Sequence, residues 1–264
     1  MDPVELIADI DVDRPSQARI YDYLLGGSLN FAADRQTARE LIAMVPDVPL
    51  VAQANRAFLR RAVRFLVDAG VRQFLDIGSG VPTRGNVHEI VQGLAPESRV
   101  VYVDVDPVAV AHSRQILAGD DHTTAIQEDA RRPEHILGHP DVRGLLDLSR
   151  PVAVLLVSVL HFIPDPDDPV GILGRLRRAV VPGSYLVLSH LTYGARTGGT
   201  SGPTPGDTFA KPRSRAAVEG FFAGFEMVQP GLVAVDRWRP DVPGNGRDNE
   251  ALACMHAGMG RKEQ

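Results

Sequence analysis

The chain has 264 residues, 44% of them hydrophobic and 23% charged, which suits one α/β domain with an added segment and a full core. Its net charge of −5 argues against a general nucleic-acid binder, because neutralising phosphates needs a basic surface. The single cysteine, Cys254, excludes a disulfide framework and a Cys-rich metal site, and the longest apolar run, Val152 to Leu160, is too short to span a membrane.

Met1 to Asp13 is acidic and lacks the basic start and apolar centre of a signal peptide, so a cytoplasmic protein is expected. Arg14 to Leu25 reads as a helix, with Pro15 at its start and Gly26-Gly27 ending it. Asp34 to Met44 is a second helical stretch, closed before Pro46. Pro49 opens a third that runs towards Asp68 and stops at Gly70; Val51, Ala54, Phe58, Ala62, Phe65 and Leu66 recur along it at helical spacing. These make an all-helical front section able to cap a following sheet.

After Gly70 the pattern changes. Arg72 to Ile77, Arg99 to Val105, Pro151 to Leu160 and Tyr185 to Leu191 are short runs rich in Val, Leu and Ile, as buried parallel strands require. Thr123 to Gln127 fills the place of a weaker strand. Helical stretches lie at Asn86 to Gly93, Pro107 to Leu117 and Pro169 to Val180, so strands and helices alternate as in a parallel sheet with helices on both faces. Glu226 to Val228 and Leu252 to Ala257 are expected to close the sheet as an antiparallel edge hairpin. Gly194 to Pro205 and Arg237 to Asn249 are rich in Gly and Pro and read as mobile loops.

The chemistry concentrates at Phe74-Leu75-Asp76-Ile77-Gly78-Ser79-Gly80, a strand running into a glycine turn ahead of a helix. Gly78 lets the chain turn and Gly80 lets backbone approach a ligand, but many nucleotide sites share such a loop. Two details narrow it. Thr83 stands where a dinucleotide loop has its third glycine, and Asp76 sits at the loop's mouth. A carboxylate there repels a pyrophosphate and suits a ligand carrying an ammonium and a sulfonium, which is S-adenosylmethionine; as a structural residue it would instead serve as an N-cap or turn.

Downstream, Asp104 ends the second strand and is placed to accept ribose hydroxyls. Asp106 then reads as the N-cap of a helix whose first residue is Pro107. Gln127-Glu128-Asp129-Ala130 follows the weaker strand and offers an acid and free backbone N–H groups to an adenine, or is a surface turn. Pro151 to Leu160 is expected beside the first strand, across the point where strand order reverses, so that Ser158 and His161 face the sulfonium. His161 and His190, at neighbouring strand ends, are candidates to orient an acceptor or take its proton, or are hydrogen-bonded structural histidines. No carboxylate or histidine pattern asks for a metal.

Taken together, these stretches resemble the class I S-adenosylmethionine-dependent methyltransferases, and more closely an S-adenosyl methyltransferase family abundant in actinobacteria. The resemblance is carried by Arg14-Pro15-Ser16, Tyr21-Asp22-Tyr23-Leu24-Leu25-Gly26-Gly27, Asn30-Phe31, Asn55-Arg56 with Phe58 to Arg61, the Asp76 loop through Asn86-Val87-His88-Glu89, Leu160-His161-Phe162, Pro182 to His190, and Arg237-Trp238-Arg239-Pro240. It covers nearly the whole chain. It implies a Rossmann-like fold with a seven-stranded, mostly parallel sheet, an antiparallel edge hairpin and an N-terminal helical cap. Residues 1–70 would form the cap and residues 71–264 the methyltransferase domain.

The resemblance puts the methionine end of the cofactor at Asp76, Gly78, Ser79 and Gly80, with Ser158 nearby. It puts the ribose at Asp104 and Val105, and the adenine near Asp129 and Ala130. Tyr21, Gly26, Asn30, Phe31 and Arg56 would close over it. Ser28-Leu29 and Ala253-Cys254-Met255-His256 depart from the family's pattern, which touches the acceptor pocket and leaves the cofactor assignment intact. The implied activity is methyl transfer to an unidentified acceptor, with a small molecule expected and neither nucleic acid nor membrane as partner. Two rivals are a cofactor-binding regulatory or partner protein without catalysis and an NAD-dependent oxidoreductase. The oligomeric state is not legible in the sequence.

Overall fold

The computed structural model describes residues 11–82, 85–193, 210–242 and 250–263. In chain order these form α1 (Gln17–Leu24), α2 (Ala32–Met44), α3 (Val48–Asp68), β1 (Gln73–Ile77), α4 (Val87–Leu94), β2 (Arg99–Asp104), α5 (Pro107–Ile116), β3 (Thr123–Gln127), α6 (Pro133–Gly138), α7 (Pro140–Leu145), β4 (Ala153–Val157), α8 (Pro169–Ala179), β5 (Tyr185–Leu191), α9 (Arg215–Gly220), β6 (Glu226–Met227), β7 (Val233–Ala234) and β8 (Met255–Arg261). Every strand and long helix expected from periodicity is present. The short α6, α7 and α9 were not anticipated, since six residues carry too little periodicity to stand out; α6 and α7 each open on a proline, and Ser214 caps α9 through its side chain.

The sheet runs β3-β2-β1-β4-β5-β8-β6, with β7 also paired to β8. β1 to β5 are parallel, and β8 enters antiparallel against β5. β6 and β7 both pair β8, so the expected edge hairpin is there with its outer strand split in two. β8 starts three residues later than expected, after a 3-10 turn at Glu250–Cys254, and continues to Arg261. Gly258 and Gly260 hid that continuation, since glycine weakens a strand pattern. Their reason is contact: a Cβ on Gly260 would lie 2.7 Å from Phe225 Cβ, and one on Gly258 would lie 3.1 Å from Phe222 Cζ.

Strand residues alternate between two cores. Phe74, Val100, Tyr102, Leu155 and Val187 face α3, α4 and α5, while Leu75, Ile77, Val103, Leu156 and Leu188 face α6, α7, α8 and α9. The 21-residue α3 belongs to the first of these layers. Its buried positions Val51, Asn55, Phe58, Leu59, Ala62, Val63 and Leu66 make one stripe, with a single polar residue, Asn55, inside it. The stretch expected as mobile from Arg237 starts instead with an anchor. Trp238 is fully buried, edge-on to Phe58 and Phe65 of α3; an indole of that size outweighs its charged neighbours. The expected loop at 194–205 and residues 243–249 lie outside the described residues, as does Thr83.

α1 and α2 share a small cluster of their own, Ile20, Leu24 and Ala38 against Ala52 of α3. What seats them over the sheet is polar. Arg19 donates to Asp34 at 2.8 Å and to Asp106 at 3.0 Å, with all three side chains almost wholly buried. A buried charge triad of this kind is costly to break, because removing one member strands the others, at about 3–5 kcal/mol. Asp34 also takes the N–H groups of Ser16 and Phe31. α1 is thereby tied to the start of α5, beside the carboxyl end of β2.

Candidate functional site

β1 and β4 are neighbours, and strand order reverses between them. Open α/β sheets bind ligands in the crevice outside such a point. The glycine loop that follows β1 is built for it. Gly78 (φ 72°) and Gly80 (φ 70°) both sit in the left-handed region. A Cβ on Gly78 would also strike Val159 at 2.5 Å, whereas the space beside Gly80 is open. The Gly78 and Ser79 N–H groups return to Val103 O, which fixes the turn.

A shallow cleft opens over this loop, with Arg56, Asp76, Gly80, Asn86, His88 and Tyr102 among its lining. Asp76 follows the parity of β1 and stands beside Tyr102, its register partner on β2. It is 5% exposed, and its pKa is pushed up to about 7, first by burial and further by Asp104, against a lowering influence from Arg56. Its side chain accepts no hydrogen bond from any described residue. Arg56 donates through Nη2 to Asn86 Oδ1 at 3.0 Å, while its Nε is buried without a partner. Tyr102 closes the floor: its hydroxyl takes the His88 backbone N–H and lies against His88 Nδ1, each at 2.8 Å. Burial and the nearby Asp76 keep it un-ionised.

Along the carboxyl edge, Asp104 accepts the Gly80 N–H at 2.7 Å and the Asp106 N–H at 2.8 Å. Burial raises its pKa to about 6, against the lowering effect of those two N–H groups. Each of its oxygens keeps a lone pair free. Asp106 caps α5 as expected, taking the Val108 and Ala109 N–H groups, and spends its other oxygen on Arg19. Val105 stands 61% exposed between them. Asp129 lies just past β3 and is gripped by Arg131 Nε at 2.8 and 3.0 Å. Partial burial opposes its ionisation, and Arg131 overcomes this and holds the carboxyl below its usual range. Ala130 packs on the second core.

The cap residues divide. Arg56 lines the cleft with Asp76, and Tyr21 meets α3 at Ala52 O and Asn55. Asn30 instead spends its amide on Asp22 Oδ2 and Gly27 O, bracing the turn at Gly26. Phe31 lies under the Arg19 guanidinium, 5.1 Å from carbon to ring centre. Ser158 has left β4 and adopts φ 62°, and its hydroxyl accepts from Asn55 Nδ2 at 3.0 Å.

The histidines lie elsewhere. β4 ends at Val157, so His161 sits in a 3-10 turn, Leu160–Phe162, instead of on a strand. His190 shares the parity of Leu186 and Leu188 and faces Phe221, on the side of the sheet opposite Asp76. Its Nδ1 donates to Leu191 O at 2.6 Å and its Nε2 accepts from Arg213 at 2.8 Å, a tautomer set by those partners. Burial holds His190 down to about 4 and His161 well below the usual histidine range. Arg213 is committed as well, to Leu160 O, Ile163 O and Asp165.

Residues that sequence reading left out of the site are His88, Tyr102, Asn86 and Asn55. Asn55 carried a signal, being a lone amide within an apolar helical stripe. The others appear only once the β1–β2 register is known.

The pattern of the S-adenosyl methyltransferase family matches residues 4–263. The crystal structure of a proposed methyltransferase from Thermobifida fusca YX is 41% identical, covers 96% of this chain and 97% of its own, and superposes with a TM-score of 0.87. A DUF574 family protein from Streptomyces avermitilis MA-4680 is 38% identical over 96% of this chain and 99% of its own, with a TM-score of 0.86. No curated protein matches the sequence.

Proposed function

The chain belongs to the S-adenosyl methyltransferase family, and from that premise we propose that it methylates a small-molecule acceptor held at the β1–β4 crevice, beneath α1. The observation that carries the site is Asp76, a buried carboxyl with no hydrogen bond from any described residue, near an arginine whose Nε has no partner among the described residues. Buried polar groups are normally satisfied; Ser98, Asp236 and Trp238 also hold buried atoms without a partner among the described residues, but only Arg56 of this group lines the cleft, together with Asp76, and there the pair offers a place to a ligand of matching charge. An α-amino acid end matches: its ammonium answers Asp76 and its carboxylate answers Arg56.

S-adenosylmethionine, when bound, supplies a methyl group already activated by its sulfonium. Asp76 and Arg56 would hold its amino acid end, with Gly80 leaving room for close backbone approach. Asp104 offers its remaining lone pairs to ribose hydroxyls, while Val105, Asp129 and Ala130 border the adenine side. What the protein adds is alignment and exclusion of water, and orientation alone is worth several kcal/mol. His161 and His190 serve in this reading to brace the β4 and β5 ends, since His190 has both nitrogens engaged and faces away from Asp76.

The acidic net charge favours a small acceptor over nucleic acid, and among the described residues no helix is long and apolar enough to cross a membrane. Calorimetric titration tests the cofactor: S-adenosylmethionine binds and NADH does not. A protein that binds NADH and ignores S-adenosylmethionine would end this reading.

A further inference from the structure

Four side chains from four elements meet at the end of β4, and their hydrogen bonds have one consistent direction. Tyr21 of α1 gives its hydroxyl hydrogen to Ala52 O at 3.0 Å, so it can only accept from Asn55, whose Nδ2 lies 3.0 Å away. Asn55 must therefore turn its amide nitrogen to this side, and the same nitrogen donates to Ser158 Oγ at 3.0 Å. On its other side Asn55 Oδ1 accepts from Ser189 Oγ at 2.6 Å, and Ser189 Oγ in turn accepts the Ser158 backbone N–H at 3.0 Å. Every donor in the set is spent except one. The Ser158 hydroxyl keeps its hydrogen and one lone pair, because only Asn55 contacts it among the described residues.

Ser158 is also held in a costly shape. Its φ of 62° is a conformation that a side-chain-bearing residue adopts only when its surroundings enforce it. A glycine would sit there without strain. The residue is half-buried, next to Val159, which packs on Gly78 of the cofactor loop. It lies at the β1–β4 crevice, one residue past the end of the strand next to the one that carries Asp76.

We propose that Ser158 is the residue that meets the methyl acceptor, its oriented hydroxyl donating to an ionised oxygen or accepting an N–H from an uncharged nitrogen, whose lone pair attacks the methyl. That pair forms the new bond to the methyl carbon and the carbon–sulfur pair stays with sulfur; an ionised oxygen is left neutral, a nitrogen is left as an ammonium that passes a proton to water, and Ser158 gives up no proton. Asn55 and Ser189 are positioning residues that fix which way the hydroxyl points. The inference rests on the methyltransferase reading above.

The test uses two ligands and two variants. Sinefungin carries an amine where S-adenosylmethionine carries its transferable methyl, whereas S-adenosylhomocysteine has nothing there. Ser158→Ala and Ser158→Gly should each lose roughly tenfold in sinefungin affinity by calorimetry, the worth of a hydrogen bond to a charged group, and keep S-adenosylhomocysteine affinity within about twofold. Ser158→Gly should also melt about 2–4 °C above Ser158→Ala, since glycine alone relieves the backbone. Equal losses for both ligands, or no loss for either, would overturn the assignment of Ser158. A wild-type protein that binds neither ligand would instead overturn the methyltransferase reading beneath it.

Discussion

Two groups of charged and titratable side chains lie at the carboxyl edge of the sheet, on opposite faces, and they are built to different rules. On the α3 face, Asp76 and Arg56 are half of a set: among the described residues the carboxyl has no donor and the guanidinium has an idle Nε. On the α9 face, His190, Arg213 and Asp165 are a closed set, in which both histidine nitrogens and every guanidinium nitrogen contact a partner at 3.1 Å or less. Both contain residues with shifted pKa values. A shift alone therefore does not locate function; the unpaired set is where a ligand adds something, and the paired set is where a ligand has nothing to offer.

The largest effect should come from breaking the closed set. Arg213→Ala leaves the Leu160 and Ile163 carbonyls and His190 without their donor, and at about 1–3 kcal/mol for each buried acceptor left unpaired should lower unfolding free energy by about 3–5 kcal/mol, read by chemical denaturation. Cofactor affinity under native conditions should change less than about threefold. If affinity collapsed while stability held, the division between the two groups would be wrong.

Asp76→Asn should do the reverse. Removing the charge that answers the ligand's ammonium should weaken S-adenosylmethionine binding by about 2–4 kcal/mol. Stability should move the other way. The folded protein holds the Asp76 proton more tightly than the unfolded chain does, so this group stabilises the free protein at low pH, and that contribution is lost as pH rises through about 7. Above that pH the asparagine variant should melt higher than wild type.

The same sign governs affinity. A carboxyl titrating near 7 must lose its proton to meet an ammonium, so S-adenosylmethionine should bind about tenfold less tightly per pH unit below 7. Binding should level off above it, and weaken again where the ligand's own amine deprotonates, at about 8. A flat profile from pH 5.5 to 7.5 in wild type would separate Asp76 from the ligand.

The smallest effect belongs to His190→Gln, which should leave cofactor affinity and turnover within about threefold. Because burial holds His190 down to about 4, its stabilising neutral form is lost as pH falls from the ordinary histidine range towards 4. The variant should therefore lose less of its melting temperature than wild type over that interval. A large drop in turnover with unchanged stability would return the histidine to the chemistry.

The contrast between the two groups also marks how far the sequence could be read. Asp76, Gly78, Gly80 and the Asp106 cap were legible because each is tied to a local pattern, a strand end, a turn or a helix start. The faces were not. His190 lies one residue from Ser189 and so projects to the other side of the sheet, a difference that needs strand parity as well as strand existence. His161 looked like a strand end because Val152 to Leu160 is apolar apart from Ser158; one serine between apolar neighbours is too weak a break to mark the turn. Arg213, Asn55 and Tyr102 act through partners 23 to 134 positions away in sequence, or through a strand register, and neither distance nor register is written in a local pattern.

One measurement reaches the central claim most directly: a crystal structure with S-adenosylhomocysteine bound. The unpaired set predicts the ligand's ammonium within about 3 Å of an Asp76 oxygen and its carboxylate at the Arg56 guanidinium, with the His190–Arg213 hydrogen bond unchanged. A ligand whose amino acid end lies away from Asp76, leaving that carboxyl still unpaired, would contradict it.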